Sequence, residues 1–323
     1  MAKIAFFDVH DWEKPYLKKQ LAKHQCLFFN ESLTSKHISK IKDVDALSLF
    51  VHSHVENSLL EKLPNVKIIA LRATGFDNVD LQYCAKRGIA VCNVPFYGAN
   101  TVAEYTFALL LAISRKMTQT IINSAKQDYT QVTGFDLQGK TIGIIGGGHI
   151  GQHAIRIAKG FGMNVLVYDV IQNEFNATTL GYTYVSLPQL LKQSDVISLH
   201  APYNKYTHHI INKKNISSVK KGAVLLNTSR GGLVDSDALL SALNKGRISF
   251  AGLDVLEDEN SLLKGENVSA SVKARNKKLA THKRVLFTPH NAFNTQEALV
   301  RILDVSVENL QKGLAGKIQN KVN

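Results

Sequence analysis

Apolar residues in this chain come in two patterns. Short continuous runs alternate with longer stretches in which apolar positions recur every three or four residues. The first pattern reads as buried parallel strand and the second as amphipathic helix. Strand-like runs fall at 3–7, 27–29, 46–50, 67–71 and 89–92, with helix-like segments between them. That alternation predicts an α/β unit on an open parallel sheet. Near Val94-Pro95 the rhythm changes, and one long helix is expected over 101–125, where Ala103, Phe107, Leu110 and Leu111 share helical spacing. A second series of strands then begins, at 142–145, 165–168, 182–185, 196–199, 223–227, 250–253 and 285–288. A last helix, over 295–314, has no strand after it and can return to the first unit. The stretch 258–284 is polar and rich in Lys, Asn and Ser, and is expected to be the least structured part of the chain.

The strand that opens the second series runs into glycines, in Thr141-Ile142-Gly143-Ile144-Ile145-Gly146-Gly147-Gly148-His149-Ile150-Gly151. Gly146, Gly148 and Gly151 match the G-x-G-x-x-G dinucleotide fingerprint. The first glycine permits a tight turn, the second lets backbone approach a pyrophosphate, and the third allows close helix–strand packing. The helix start at His149 and Ile150 then offers free N–H groups to phosphate. The next strand ends in Asp169, eighteen residues beyond Gly151. That is close to the ~20-residue spacing of a ribose-binding acid. His200 and Pro202, Thr228, and Asp254 lie at or just past later strand ends and complete the expected cofactor-binding set. The expected fold class is therefore α/β, with two Rossmann-like or flavodoxin-like domains. A nucleotide-binding domain at 99–293 is inserted in a discontinuous domain made of 1–98 and 294–323.

Composition changes this picture little. The chain has 323 residues, 45% of them hydrophobic and 20% charged, as expected for an ordinary globular protein of about two domains. Its N-terminus lacks the long apolar stretch and small-residue cleavage site of a signal peptide, and no apolar run reaches ~18 residues. Cys26, Cys84 and Cys92 show no metal or redox spacing and read as reduced thiols of a cytoplasmic protein. His149 and His153 are four apart, but the pair lacks the glutamate of a zinc helix and no metal is expected. The net charge of +13 gathers in Lys213-Lys214, Lys220-Lys221 and 273–284. These clusters lack interleaved aromatics, so they read as solvated surface, and neither nucleic acid nor membrane is an expected partner.

Three polar residues stand where strands of the second series end. Arg230 follows Leu225-Leu226-Asn227-Thr228-Ser229, four acids follow Gly252-Leu253, and His290 follows Phe287-Thr288-Pro289. In open α/β sheets, ligands sit beyond the carboxyl ends of strands. An arginine, an acid and a histidine there make an anion-binding and acid–base set. Which of Glu257, Asp258 and Glu259 takes part is left open by spacing alone.

Taken together, the fingerprint, Asn227-Thr228-Ser229-Arg230-Gly231-Gly232-Leu233-Val234-Asp235, Gly252-Leu253-Asp254-Val255 and Thr288-Pro289-His290 resemble the D-isomer-specific 2-hydroxyacid dehydrogenases. The resemblance runs nearly end to end. It implies NAD as cofactor, Arg230 on the substrate carboxylate and carbonyl, His290 as general acid/base and Glu259 as its hydrogen-bond partner. It also implies that 1–98 and 294–323 form the substrate domain. Arg72-Ala73-Thr74-Gly75-Phe76-Asp77 is similar to the loop whose backbone N–H groups hold the substrate carboxylate, which assigns Thr74 and Gly75 to substrate binding. Tyr97, in Asn93-Val94-Pro95-Phe96-Tyr97, and Phe293 match pocket residues of the family's D-lactate branch. Leu256 departs from that pattern, which more often carries an aromatic residue there. The implied reaction is NADH-dependent reduction of pyruvate. The alternatives are a bulkier 2-keto acid, or a corepressor-like NAD-sensing role on the same scaffold. A homodimer joined through the nucleotide domain is a further implication.

Overall fold

The computed structural model describes residues 1–50, 53–76, 78–259 and 269–323. The chain divides into two compact units, Met1–Tyr97 with Thr295–Asn323, and Gly98–Asn294.

The first unit is a five-stranded sheet in the order β2-β1-β3-β4-β5. Its strands are β1 Lys3–Phe6, β2 Gln25–Phe28, β3 Ala46–Leu49, β4 Ile68–Leu71 and β5 Ala90–Cys92. All four pairings are parallel. This is the flavodoxin-like order, with its switch point between β1 and β3. The helix Gln296–Leu314 belongs to this unit and buries Leu303, Val307 and Leu310 in one cluster with Ile4, Phe6, Ile68 and Ala70. Gly313 permits the approach, since a Cβ there would lie 2.2 Å from the Ile68 side chain. The chain after this helix bonds back to β5, where Val322 N–H donates to the Val91 carbonyl.

The second unit is a seven-stranded sheet in the order β12-β11-β10-β9-β6-β7-β8. The strands are β6 Thr141–Ile145, β7 Asn164–Tyr168, β8 Thr183–Tyr184, β9 Val196–Leu199, β10 Ala223–Asn227, β11 Ile248–Leu253 and β12 Val285–Phe287. They pair in parallel throughout. The strand order reverses between β6 and β9, which opens the ligand crevice of a doubly wound sheet at the fingerprint strand. Two apolar clusters cover the two faces, one around Leu199, Leu225, Leu239 and Leu253 and the other around Phe107, Ile144, Ala154 and Val165.

Two expectations need correction. The single helix over 101–125 is two helices, Ala99–Ser114 and Met117–Ala125. Lys116, with φ 54°, makes the break. The chain at 134–135 passes over the helix end, where Phe135 N–H takes the Ser114 carbonyl at 2.8 Å. Lys116 then lays its ammonium on the Phe250 ring, 3.4 Å from the centroid. A cation–π contact of this kind offsets part of the cost of a left-handed backbone. The second correction is the helix Ala270–Ala280, which lies inside the stretch expected to be irregular. It is capped by Ser269 and anchored by buried Leu279 and Asn276. Its lysines at 273, 277 and 278 are exposed, so that part of the basic surface is a solvated helix face.

Candidate active site

The glycine turn after β6 is shaped by the protein itself at two of its three positions. Gly146 has φ +100°, and a Cβ there would stand 2.5 Å from Ala201 N. A Cβ on Gly151 would stand 2.1 Å from the Gly146 carbonyl oxygen. Gly148 differs, because a Cβ there would meet nothing within 4 Å. Its glycine leaves exposed backbone approachable from outside, in front of the helix His149–Gly160. Asp169 at the end of β7 accepts Gly147 N–H at 2.6 Å and Ile171 N–H at 2.9 Å. An acid beside an open glycine turn at a helix N-terminus fits a dinucleotide, with the helix end toward pyrophosphate and the carboxylate toward ribose hydroxyls.

His200 follows β9, and Pro202 lies exposed two residues on. The His200 Nε2 is 2.9 Å from the Ser198 hydroxyl, while Nδ1 is buried without a partner among the described residues. Burial pulls its pKa from 6.5 down to about 4, so the ring is neutral near pH 7. Thr228 is buried, its hydroxyl 2.8 Å from that of Thr106.

Arg230 sits past the end of β10. Asn227 shapes this corner, its amide donating to the Arg230 carbonyl at 2.9 Å and its Oδ1 accepting Ser229 N–H at 3.0 Å. Past β11, Asp254 is fully buried. A buried carboxylate must be satisfied by donors. Here Oδ1 accepts the Thr288 hydroxyl at 2.6 Å and Asn291 N–H at 2.9 Å, and Oδ2 accepts Ala292 N–H at 2.8 Å. Asp254, expected on the cofactor, holds the loop that carries His290 with both its oxygens. That loop needs the support: His290 has φ 51°, a strained region for a residue with a Cβ. Its N–H donates to the Asp254 carbonyl at 2.7 Å.

The His290 imidazole is held from its other side. Nδ1 is 2.8 Å from Glu259 Oε1, and both side chains are largely buried. The second Glu259 oxygen accepts Leu256 N–H at 2.8 Å. This contact separates the clustered acids. Glu257 is bonded instead to His209 and Arg275, and Asp258 faces Arg275. The Phe293 ring stands edge-on to His290, with centroids 6.2 Å apart.

In the first unit, Thr74 and Gly75 form the turn after β4. The Thr74 hydroxyl donates to the Val94 carbonyl at 2.8 Å, and the Asn93 amide donates to the Thr74 carbonyl at 2.7 Å. Asn93 is itself held by Asn309 at 2.8 Å. Beneath the turn, the guanidinium of Arg72 is buried against Glu13 at 3.3 Å and the Asp8 carbonyl at 2.9 Å. The Tyr97 carbonyl accepts from Arg301. Asp77, the last residue quoted for this loop, lies outside the described residues.

A family model for the D-isomer specific 2-hydroxyacid dehydrogenase NAD binding domain matches residues 107–292. The D-lactate dehydrogenase of Escherichia coli is 36% identical over 317 residues, spanning 95% of this chain and 95% of the relative. The glyoxylate reductase of Thermococcus litoralis is 38% identical over 296 residues, spanning 88% of this chain and 86% of the relative. The crystal structure of D-lactate dehydrogenase from Aquifex aeolicus, complexed with NAD and lactic acid, superposes with a TM-score of 0.90 at 36% identity, covering 97% of this chain and 96% of that one.

Proposed function

The chain belongs to the D-isomer-specific 2-hydroxyacid dehydrogenases, NAD-dependent oxidoreductases, and from that premise we propose that it reduces pyruvate to D-lactate with NADH, reversibly. The observation that carries the proposal is the buried His290–Glu259 pair at 2.8 Å, beyond the same sheet end as Arg230 and the fingerprint turn. When bound, the nicotinamide supplies or accepts the hydride. Asp169 holds ribose hydroxyls, and the backbone from Gly146 to Gly151 faces the pyrophosphate. Arg230 grips the 2-keto acid in two-pronged fashion and stabilises charge that develops on the carbonyl oxygen. Thr74 and Gly75 serve the carboxylate through backbone N–H groups, and Tyr97 and Phe293 shape the pocket. His290, held at Nδ1 by Glu259, gives a proton from Nε2 to that oxygen and takes it back in the reverse direction.

NADH oxidation measured with pyruvate, glyoxylate and a branched six-carbon 2-keto acid tests the substrate. The expected result is the highest kcat/KM for pyruvate, with D-lactate as product. A higher value for either of the others reassigns the substrate, and no turnover with any of them removes the enzymatic reading in favour of NAD sensing.

The same reading extends to a homodimer in the cytoplasm. The helix Met117–Ala125 presents Met117, Ile121 and Ile122 to solvent at 49%, 61% and 45% exposure, an apolar edge of the kind that pairs with a second copy. A monomer in sedimentation equilibrium would refute this. Cys26, Cys84 and Cys92 are free thiols, which suits a reducing compartment. No helix among the described residues is long and apolar enough to cross a membrane.

A further inference from the structure

The charged network around Glu257 takes part in no step above, yet it joins the two strand ends that carry the reacting groups. We propose that His209 and Glu257 are positioning residues, whose mutual bond ties the loop after Arg230 to the turn that presents Glu259 to His290. The inference rests on the roles given to Arg230, Glu259 and His290 under the proposed function.

His209 touches both loops. Its backbone N–H donates to the Gly232 carbonyl at 2.8 Å, two residues past Arg230. Its ring Nε2 is 2.6 Å from Glu257 Oε1, two residues before Glu259. The loops also meet backbone to backbone, since a Cβ on Gly231 would stand 2.0 Å from the Leu256 carbonyl carbon. Arg230 and Glu259 therefore depend on one packed junction, and His209 bridges it, by its backbone to one loop and by its ring to the other.

The turn needs such a bridge. Asp258 has φ 58°, a strained conformation that persists only where its surroundings over-determine it. Arg275 supplies part of the hold, with Nη2 at 3.4 Å from Glu257 Oε2 and 3.2 Å from Asp258 Oδ2. The Asn276 amide adds a bond to the Glu257 carbonyl at 2.6 Å. The Glu257 side chain is only 12% exposed, so its bonds to cationic groups lose little strength to water. His209 is steadied in turn by stacking on His208, with centroids 3.8 Å apart, and His208 Nδ1 is 3.0 Å from the Tyr203 hydroxyl. Loosening the junction lets Glu259 drift from His290, and misplacement by about 1 Å can cost ~100-fold in rate.

The test compares Glu257→Ala, His209→Ala, their double variant and the conservative Glu257→Gln. Three quantities are read: kcat/KM with the best keto acid of the panel, NADH affinity by fluorescence, and the ring resonances of His290 in the cofactor-free enzyme, which report its bond to Glu259. The last uses ring-labelled histidine, with the resonance assigned through His290→Asn. Each alanine variant is expected to lose roughly 10- to 100-fold in kcat/KM. NADH affinity should stay within about twofold, and the double variant should be no worse than the poorer single, as for two residues acting through one bond. The His290 ring resonances should move in Glu257→Ala, because the carboxylate bonded to Nδ1 at 2.8 Å has moved away. Glu257→Gln keeps an acceptor for His209 and should retain most activity. Unmoved His290 resonances in Glu257→Ala overturn the proposal, as do additive losses or a parallel fall in NADH affinity. If the alanine variants do not fold, His209→Phe carries the same three measurements, and wild-type values in it sink the bridge. The resonances need no substrate, so they decide this inference even if the keto acid proves to be a different one.

Discussion

At the scale of single residues, the site rests on how buried polar groups are partnered. Strand ends are where ligands sit in an open sheet, so Arg230 and His290 could be singled out from spacing alone. Glu259 could not. It is one of several acids in a row, and only the fold shows that Glu257 is committed to His209 while Glu259 faces His290. Glu259→Ala removes the acceptor that orients His290 Nδ1, so kcat for pyruvate reduction should fall roughly 100-fold while NADH affinity stays within about twofold. Steady-state kinetics and NADH fluorescence measure this, and an unchanged kcat excludes the role. His200 has a different consequence. Its ring is kept neutral by burial, with a pKa of about 4, while in the unfolded chain it protonates near 6.5. Between those values the unfolded state binds the extra proton, so stability is complete above pH 6.5 and is lost as pH falls toward 4. Replacing His200 by Gln should flatten that part of the stability curve by on the order of 2 kcal/mol. Urea midpoints of both cofactor-free proteins from pH 7 to 4 check it, and parallel curves would show that other groups dominate.

At the scale of elements, the fingerprint glycines were legible as a motif with three separate jobs. The structure shows what each position tolerates. Gly151 is required by the fold, because a Cβ there would fall 2.1 Å from backbone oxygen, whereas at Gly148 it would meet only open space. Gly148→Ala should therefore leave the melting temperature within about 2 °C, a surface-level effect, and weaken NADH binding roughly tenfold or more where the phosphates approach. Gly151→Ala should lower stability by about 2–4 kcal/mol, the range for overpacking against fixed backbone, and lose binding as a consequence. Equal behaviour of the two variants in thermal melts and NADH titration would deny the distinction. Other elements were hidden for physical reasons. No glycine or proline marks the break at Lys116, which follows the Phe135–Ser114 bond and rests its side chain on Phe250. The helix Ala270–Ala280 has so few apolar residues that its periodicity is faint, and its buried anchor is partly an asparagine bonding backbone. The cost of burying Asp254 could be foreseen from its place at a strand end, but its partners, the N–H groups of the His290 loop, are tertiary facts.

At the scale of the whole molecule, both sheets were readable because fully buried parallel strands leave continuous apolar runs, and observed strand ends lie within a few residues of those runs. The discontinuity of the first unit was readable for a related reason: a fingerprint beginning in mid-chain and a final helix without a strand leave that helix no partner but the first sheet. Its packing supports a sharp expectation. Leu303 and Leu310 are at most 2% exposed and, with Val307, complete the cluster that holds Ile4, Phe6 and Ile68. Removing three such side chains from a core costs roughly 2–5 kcal/mol each, comparable in sum to the ~5–15 kcal/mol that stabilises a typical domain. The second unit, Gly98–Asn294, keeps its own two clusters and its fingerprint turn intact without that helix. A chain ending at Asn294 should therefore fail to fold over residues 1–97 while residues 98–294 still bind NADH. Limited proteolysis should cut the truncated protein throughout its first 97 residues and leave a resistant fragment that quenches or enhances NADH fluorescence as the full chain does. Resistance of the N-terminal segment would mean that the sheet is stable without its closing helix. Loss of NADH binding with the fragment intact would mean that the second unit folds alone but does not hold NADH alone.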